Sequence, residues 1–315
     1  MINFFHIPVM PRETINGLRI KPDGIYFDLT VGGSGHSELI AKQIQNGKLF
    51  SIDRDPDAIQ SASLKLTAYP NVKLILSTYN NLKNIAKEHN IQKADGILMD
   101  LGVSSFQLDR PERGFSYLNS GPLDMRMSKS GPTAAEFISS VSEQELIRIL
   151  RDYSEERFAA RIARGIIEQN RQNPILTTGR LAKIVAMSIP ARFRREKNPC
   201  KRTFQAIRIA VNDELKMLDD TLKQSFELLN ISGRLAVITF HSLEDKLVQT
   251  HFKRWVKGCT CPGDFPICIC GKTPAARYIS RIQTPTEQEI SQNRRSKSAK
   301  LRIIEKLQEQ KGAGR

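Results

Sequence analysis

Asp28-Leu-Thr-Val-Gly-Gly-Ser-Gly-His36, followed by Ser37, stands between two contrasting patterns. The apolar run Ile25 to Leu29 enters it, and Ser37, Leu39, Ile40 and Ile44 leave it at helical spacing. An apolar strand, a glycine-rich turn and a helix in that order open a nucleotide-binding α/β unit. A second apolar run, Lys48 to Ile52, delivers Asp53 about 20 residues past the glycines, where a carboxylate can take both hydroxyls of a ribose. The spacing of the glycines narrows the cofactor. A dinucleotide fingerprint needs G-x-G-x-x-G, but from Gly33 the chain reads Gly-Ser-Gly-His-Ser-Glu38. A Walker loop needs Gly-Lys-Ser/Thr, and none occurs. A turn with no pyrophosphate to cradle suits S-adenosylmethionine, an adenosine that carries a sulfonium amino acid instead of phosphates.

Outward from this turn, strand patterns recur at Val72–Leu76, Gly96–Asp100 and Arg234–Phe240, with later ones near Arg277–Ile282 and Lys300–Ile304. Helical patterns such as Pro56–Leu66 and Leu82–His89 lie between the first four strands. Such alternation predicts a mostly parallel sheet covered by helices on both faces. From about Gly114 to Arg202 the alternation stops and only helical patterns remain, at Glu143–Asp152, Glu155–Asn170 and Thr178–Met187. One long helix is then expected from about Phe204 to Leu229, with Ile207, Val211, Leu215, Leu218, Leu222, Phe226 and Leu229 in its apolar stripe. The predicted organisation is an α/β domain, residues 1–108 and 204–315, interrupted by an all-helical insertion over 109–203.

Ligands of open parallel sheets bind at the carboxyl ends of the strands. Tyr79 follows the third strand there, Asp100 ends the fourth and opens Asp100-Leu-Gly-Val-Ser-Ser-Phe-Gln107, and Phe240-His-Ser-Leu-Glu-Asp245 follows the fifth. Each alone could merely cap a helix; their convergence with the glycine turn and Asp53 points to one crevice. Asp100 and Ser104 are candidate catalytic residues, since an acceptor of hydrogen bonds from an amine could hold it toward a methyl donor. Phe106 could stack on a base drawn out of its helix.

The 315 residues carry a net charge of +15, with a pI near 9.7. That excess favours a polyanionic partner, nucleic acid first. Two basic clusters stand out: Arg192, Arg194, Arg195, Lys197, Lys201 and Arg202, and later Arg294, Arg295, Lys297, Lys300, Arg302 and Lys306. Hydrophobic and charged contents of 40% and 26% are ordinary for a soluble globular protein. No apolar run approaches the roughly 20 residues of a bilayer span, and the amino terminus lacks a secretory pattern, so a cytoplasmic protein is expected. Cys259-Thr-Cys261 and Cys268-Ile-Cys270 bracket a Pro-Gly-Asp-Phe-Pro turn. Four thiolates could hold zinc, but structural sites usually space each pair by two to four residues. No metal is assigned from the sequence, and a reduced, cysteine-rich loop is expected.

His6-Ile-Pro-Val-Met10, Asp100-Leu-Gly-Val-Ser-Ser-Phe-Gln-Leu-Asp109, Arg113-Gly-Phe-Ser116, Gly121-Pro-Leu-Asp-Met-Arg-Met127, Arg202-Thr-Phe-Gln-Ala-Ile-Arg-Ile209, Phe240-His-Ser-Leu-Glu-Asp245 and Ser296-Lys-Ser-Ala-Lys-Leu-Arg302 follow one another along the chain. This series resembles that of the bacterial ribosomal RNA small subunit methyltransferase H (MraW) family, over nearly the whole length. The resemblance implies a class I S-adenosylmethionine-dependent methyltransferase, Rossmann-like with a helical insertion. It implies methylation of the exocyclic N4 of a cytidine in the decoding region of 16S rRNA, with the small ribosomal subunit as partner and no membrane. Carried over position by position, it implies cofactor contacts at Ser34, Gly35, His36, Asp53, Tyr79, Asp100 and Gln107. The family's loop usually has glycine where this chain has Ser34. The resemblance supplies no general base. A homodimer is compatible with the sequence. Two other readings stay open, a non-catalytic ribosome assembly factor and, less favoured, an NAD-dependent oxidoreductase.

Overall fold

A computed structural model describes residues 8–194, 199–259, 261, 265–267, 269–271 and 273–309. The described residues form two compact units, Met1–Gly102 with Lys216–Arg315, and Val103–Leu215.

The first unit is built on seven strands: β1 (Ile25–Asp28), β2 (Lys48–Asp53), β3 (Val72–Leu76), β4 (Ala94–Asp100), β5 (Leu229–Thr239), β6 (Ala276–Gln283) and β7 (Lys300–Lys306). Their order across the sheet is β3-β2-β1-β4-β5-β7-β6. The first five run parallel, and β7 lies antiparallel between β5 and β6. Parallel strands covered on both faces read as continuous apolar runs. Ile97, Leu98 and Met99 of β4 are accordingly all buried, as are Leu235 to Ile238 of β5. One face packs Phe27, Ile52, Ile97, Leu222, Phe226 and Trp255 together; the other gathers Tyr26, Ile40, Leu49, Leu98, Ile238 and Leu301. The strand order reverses direction between β1 and β4, the switch point at which open α/β sheets leave a crevice for a ligand. Among the described residues no helix is long and apolar enough to cross a membrane.

The second unit is helical, with the helices Ala134–Ser140, Glu143–Asp152, Ala159–Gln172, Thr178–Ser188 and Cys200–Asn212 as its main elements. Ile149, Ile162, Ile166, Leu181, Phe204 and Ile207 share its core. Between Gly114 and Arg202 the only strand-like pairing among the described residues is one bridge, Pro122 to Thr177. Gly114 (φ +72°) lies so close to the Pro122 carbonyl that a Cβ would stand 2.5 Å from that oxygen. The Arg113 guanidinium, buried, donates to the carbonyls of Arg126 and Met127 at 3.0 Å. Asn212 accepts the Met127 N–H at 2.9 Å and donates to the Met125 carbonyl at 2.7 Å. Several of the sequence motifs therefore meet as one hydrogen-bonded knot that fixes an irregular segment.

The single helix expected over Phe204–Leu229 is two helices, Cys200–Asn212 and Glu214–Leu228. Asp213 separates them in the left-handed conformation, φ 51° and ψ 36°. The apolar stripe continues through the break but serves two cores: Ile207 belongs to the helical one, and Leu218, Leu222 and Phe226 to that of the sheet. Arg208 and Glu214 close the junction with paired hydrogen bonds of 2.8 and 2.9 Å.

Candidate active site

The glycine turn is held between its neighbouring strands. Past β1, the Leu29 N–H donates to the Leu98 carbonyl and the Val31 N–H to that of Ile52. The turn then reverses through Gly32 (φ +45°) and Ser34 (φ +64°) into the helix Gly35–Ala41. Ser34 is fully buried, and its hydroxyl donates to the Gly33 carbonyl at 2.6 Å. A left-handed residue is where glycine is least costly, and here a serine takes that conformation. Lys65 Nζ donates to the Gly33 carbonyl at 3.1 Å.

Asp53, at the end of β2, binds the turn directly: its Oδ2 accepts the Gly32 N–H and its Oδ1 the Asp55 N–H, both at 2.9 Å. Tyr79 opens a short 3₁₀ turn beyond β3 and packs against the core beneath the sheet. The Ser77 N–H, two residues before it, donates to the Asp53 carbonyl. On the other side of β1, Asp100 ends β4. Its N–H donates to Thr30 Oγ1 at 2.7 Å, and its Oδ2 lies 3.6 Å from His36 Nε2. Asp100 Oδ1 is buried and accepts no hydrogen bond among the described residues. Ser34, Gly35, His36, Asp53, Tyr79 and Asp100 thus all stand on the loops and strand ends at the carboxyl edge of one sheet.

Two further carboxyls belong to this edge. Asp28 is buried, accepts from the Ser37 hydroxyl at 2.6 Å and receives the Thr30 N–H at 3.1 Å. Glu244, also buried, receives the N–H groups of Phe240 and His241 through Oε2. The sequence displayed both residues inside its motifs, but nothing in periodicity or spacing marked them as electrostatic partners of Asp100. Burial raises Asp28 to about 6 against the hydrogen bonds from Ser37 and Thr30. Burial likewise raises Asp53 to about 6, opposed by the N–H groups of Asp55 and Gly32 and aided by the charges of Asp55 and Asp28. Asp100 is lifted well above the usual carboxylate range by burial and then by the charges of Asp28 and Glu244. Such a cluster repels a pyrophosphate and favours a cation. S-adenosylmethionine, with its sulfonium and ammonium groups, fits this set of residues, and the unaccepted Asp100 oxygen is a ready acceptor for an amine. A dinucleotide does not fit.

Ser104 and Gln107 lie in the helical unit. Ser104 caps the short helix Ser105–Asp109, its hydroxyl accepting the Gln107 N–H at 3.2 Å while Gln107 Oε1 accepts the Ser104 N–H at 3.0 Å. Phe106 carries the Arg110 guanidinium 4.9 Å from its ring centre. The loop therefore has a defined shape, set by this reciprocal cap.

The two basic clusters fare differently. Arg192, Lys201 and Arg202 are exposed, and Arg192 lies over the Phe193 ring; Arg195 and Lys197 lie outside the described residues. In the carboxyl-terminal cluster Arg294, Arg295 and Lys297 are exposed. Arg302 and Lys306 are not, and the expectation that they face a polyanion is corrected. Arg302 is 8% exposed and pairs with Asp245 at 2.7 Å. Lys306 is 0% exposed and donates to the Leu229 carbonyl and to Glu309. β7 lies between β5 and β6 and is buried on both faces, so these cations stay inside the unit, where each found acceptors.

With this geometry in view, comparison with known proteins is decisive. The model of the MraW methylase family matches residues 3–307. The chain belongs to that family. It is 49% identical over 309 residues to the ribosomal RNA small subunit methyltransferase H of Clostridium botulinum (strain Kyoto / Type A2), covering 97% of this chain and 100% of the relative. It is 47% identical over 310 residues to the protein of the same name from Symbiobacterium thermophilum, covering 97% and 98%. Among solved structures it is similar to an rRNA methylase from Streptococcus thermophilus, with a TM-score of 0.43, 11% identity, and 95% and 94% of the two chains covered.

Proposed function

We propose that this member of the MraW methylase family transfers the methyl group of S-adenosylmethionine to the exocyclic N4 of a cytidine in the decoding region of 16S rRNA. Methylation of small-subunit ribosomal RNA is the activity named for relatives that match it end to end at 49% identity. The observation that carries the chemistry is the set Asp28, Asp53 and Asp100 around the glycine turn, which favours a cationic donor.

The donor supplies an electrophilic methyl group on a cationic sulfur, which departs as a neutral thioether. Ser34, Gly35, His36, Asp53 and Tyr79 hold it, with Asp53 taking the ribose hydroxyls. An exocyclic amine on a pyrimidine is a weak nucleophile because its lone pair is delocalised into the ring. Accepting its N–H bonds localises that pair, and a fixed orientation places it in line with the methyl carbon. Asp100 Oδ1 is the acceptor best suited to this. The N–C bond forms as the S–C bond breaks, and the proton lost from the nitrogen passes to water.

The test is methyl transfer from labelled S-adenosylmethionine to small subunits lacking the modification, with nucleoside analysis of the product. N4-methylated cytidine formed by the native chain and absent with Asp53→Ala supports the reading. Cofactor binding with no label in subunits or in free rRNA overturns it and favours an assembly role.

A further inference from the structure

Beyond the helix Ser242–Lys257 the chain turns through Gly258 (φ +65°) and rejoins the sheet only at β6. The Ala275 N–H donates to the Trp255 carbonyl at 2.8 Å, closing the base of the intervening loop. Within that loop the sulfur atoms of Cys259, Cys261 and Cys270 all lie within 4.8 Å of one another, each residue half-buried. Cys270 and Cys259 sulfurs are 3.7 Å apart. A disulfide brings its sulfurs to about 2.05 Å. Thiolates arranged tetrahedrally on zinc at about 2.3 Å stand ~3.8 Å from one another. The Cys259–Cys270 distance is too long for a disulfide; it is the spacing of an S–H···S contact and equally that of two thiolates on one zinc.

Among the described residues of the loop, the large apolar side chains are not packed into a core. Phe265, Ile267 and Ile269 are 46%, 75% and 73% exposed. A short segment that buries so little of its own apolar surface gains its order from a cross-link or a metal. Soft thiolate ligands in tetrahedral array select zinc among the common divalent ions.

We propose that Cys259, Cys261 and Cys270 bind one zinc ion as thiolates and clamp the loop between the helix Ser242–Lys257 and β6. On binding, the thiols release their protons to solvent and no electron is transferred. Cys268, whose motif with Cys270 mirrors that of Cys259 and Cys261, lies outside the described residues, and the site stands on the three sulfurs alone. It is separate from the methyl-transfer residues and does not depend on that reading.

The experiment uses untagged full-length protein, purified under reducing conditions, and measures bound metal by elemental analysis after dialysis. Close to one zinc per chain is expected. Cobalt substituted for it should give the intense visible absorption and the sulfur-to-metal charge-transfer band of a thiolate site. The double variant Cys259→Ser/Cys270→Ser should lose both signals, whereas Cys200→Ser, in the helical unit, should keep them. Limited proteolysis of the native chain should cut within 258–275 only after a chelator is added. No retained metal, iron or copper in place of zinc, metal kept by the double variant, or a Cys259–Cys270 disulfide in metal-free protein would each overturn the proposal.

Discussion

Asp53 Oδ2 receives the Gly32 N–H at 2.9 Å, so the carboxylate at the end of β2 also shapes the turn at the end of β1. Its other oxygen receives the Asp55 N–H, at the cap of the helix Pro56–Leu66. The residue proposed to take the ribose is thus already oriented by two backbone donors, each carboxylate oxygen keeping a further lone pair for a hydroxyl.

Replacing this carboxylate removes both functions at once. Asp53→Ala should weaken S-adenosylmethionine binding at least about a hundredfold, the loss of two hydrogen bonds to a charged group. On stability two effects oppose each other. Two backbone donors lose their acceptor, which costs about 1–3 kcal/mol, while the penalty of ionising a carboxyl raised to about 6 is relieved. Calorimetric titration with the cofactor and a urea unfolding curve measure affinity and stability separately. Unchanged affinity in a folded variant would remove Asp53 from the site.

Protonation gives an independent handle on the same group. Asp53 is raised to about 6, so its contribution to cofactor affinity should fall as pH drops through 6, approaching tenfold per pH unit below it. Because the carboxyls favour a cation, binding the sulfonium donor should release protons. Titrations in buffers of different ionisation heat detect this. The neutral thioether product should release fewer.

Asp28 makes a stability prediction of defined sign. Its carboxyl is raised from 3.8 to about 6 in the folded state, so the native chain binds its proton more tightly than the unfolded one. The contribution is most favourable below about pH 4, is lost as pH rises to about 6, and stays as a penalty of about 3 kcal/mol above that. Asp245 and Glu305 act in the opposite sense: the cations beside them hold their carboxyls low despite burial, and their contribution is lost in acid. The Asp28→Asn variant isolates the first effect. An amide keeps an acceptor for Thr30 and can donate to Ser37, whose hydroxyl can turn to Ser51 at 2.7 Å. The variant should gain stability over the native chain at about pH 7.5, and the gain should shrink toward about pH 4. Urea midpoints at the two pH values measure it.

How legible this was depended on the kind of signal. The turn from Asp28 to His36, Asp53 and the strands around them were readable because burial on both faces writes continuous apolar runs and the turn needs small residues. The break at Asp213 was not, since the apolar stripe runs through it without interruption. Only Asn212-Asp213, a pair tolerant of the left-handed region, hinted that the helix ends. The pairing of Asp100 with Asp28 and Glu244 was invisible because it joins strand ends far apart in sequence. Composition misled for Arg302 and Lys306: a count of cations does not say that their strand lies inside the sheet and is buried on both faces.

The exposed and buried cations should separate cleanly by experiment. Arg192→Ala and Lys201→Ala should each weaken binding to small-subunit RNA and reduce the slope of log affinity against log salt by about 0.7–0.9 where a phosphate contact is lost. Neither should move the melting temperature appreciably, since both side chains are exposed. Lys306→Ala should do the reverse. It strands the Leu229 carbonyl, which accepts from Nζ at 2.9 Å, and opens a cavity beside Phe226. A loss of about 2–4 kcal/mol is expected, with the salt slope unchanged for the fraction that remains folded. A reduced salt slope in Lys306→Ala would mean that β7 presents this cation to RNA after all.

The junction at Asp213 offers the last test. Its φ of 51° places a side chain in the left-handed region, where glycine is free of the steric cost that a Cβ incurs. The conformation itself is imposed from both sides. The Asp213 N–H donates to the Ala210 carbonyl at 3.4 Å, and Arg208 and Glu214 bridge the break with both partners largely buried. Asp213→Gly should therefore raise stability by about 0.5–1 kcal/mol, the relief of strain exceeding the entropy that glycine adds to the unfolded chain. Glu214→Ala should cost about 3–5 kcal/mol, because it leaves the Arg208 guanidinium without its buried partner. Removing both members, Arg208→Ala with Glu214→Ala, should cost less than the sum of the single changes. Additive losses in that double-mutant cycle would show that the two side chains act separately, and a destabilised Asp213→Gly would show that the aspartate side chain, not the backbone turn, fixes the junction.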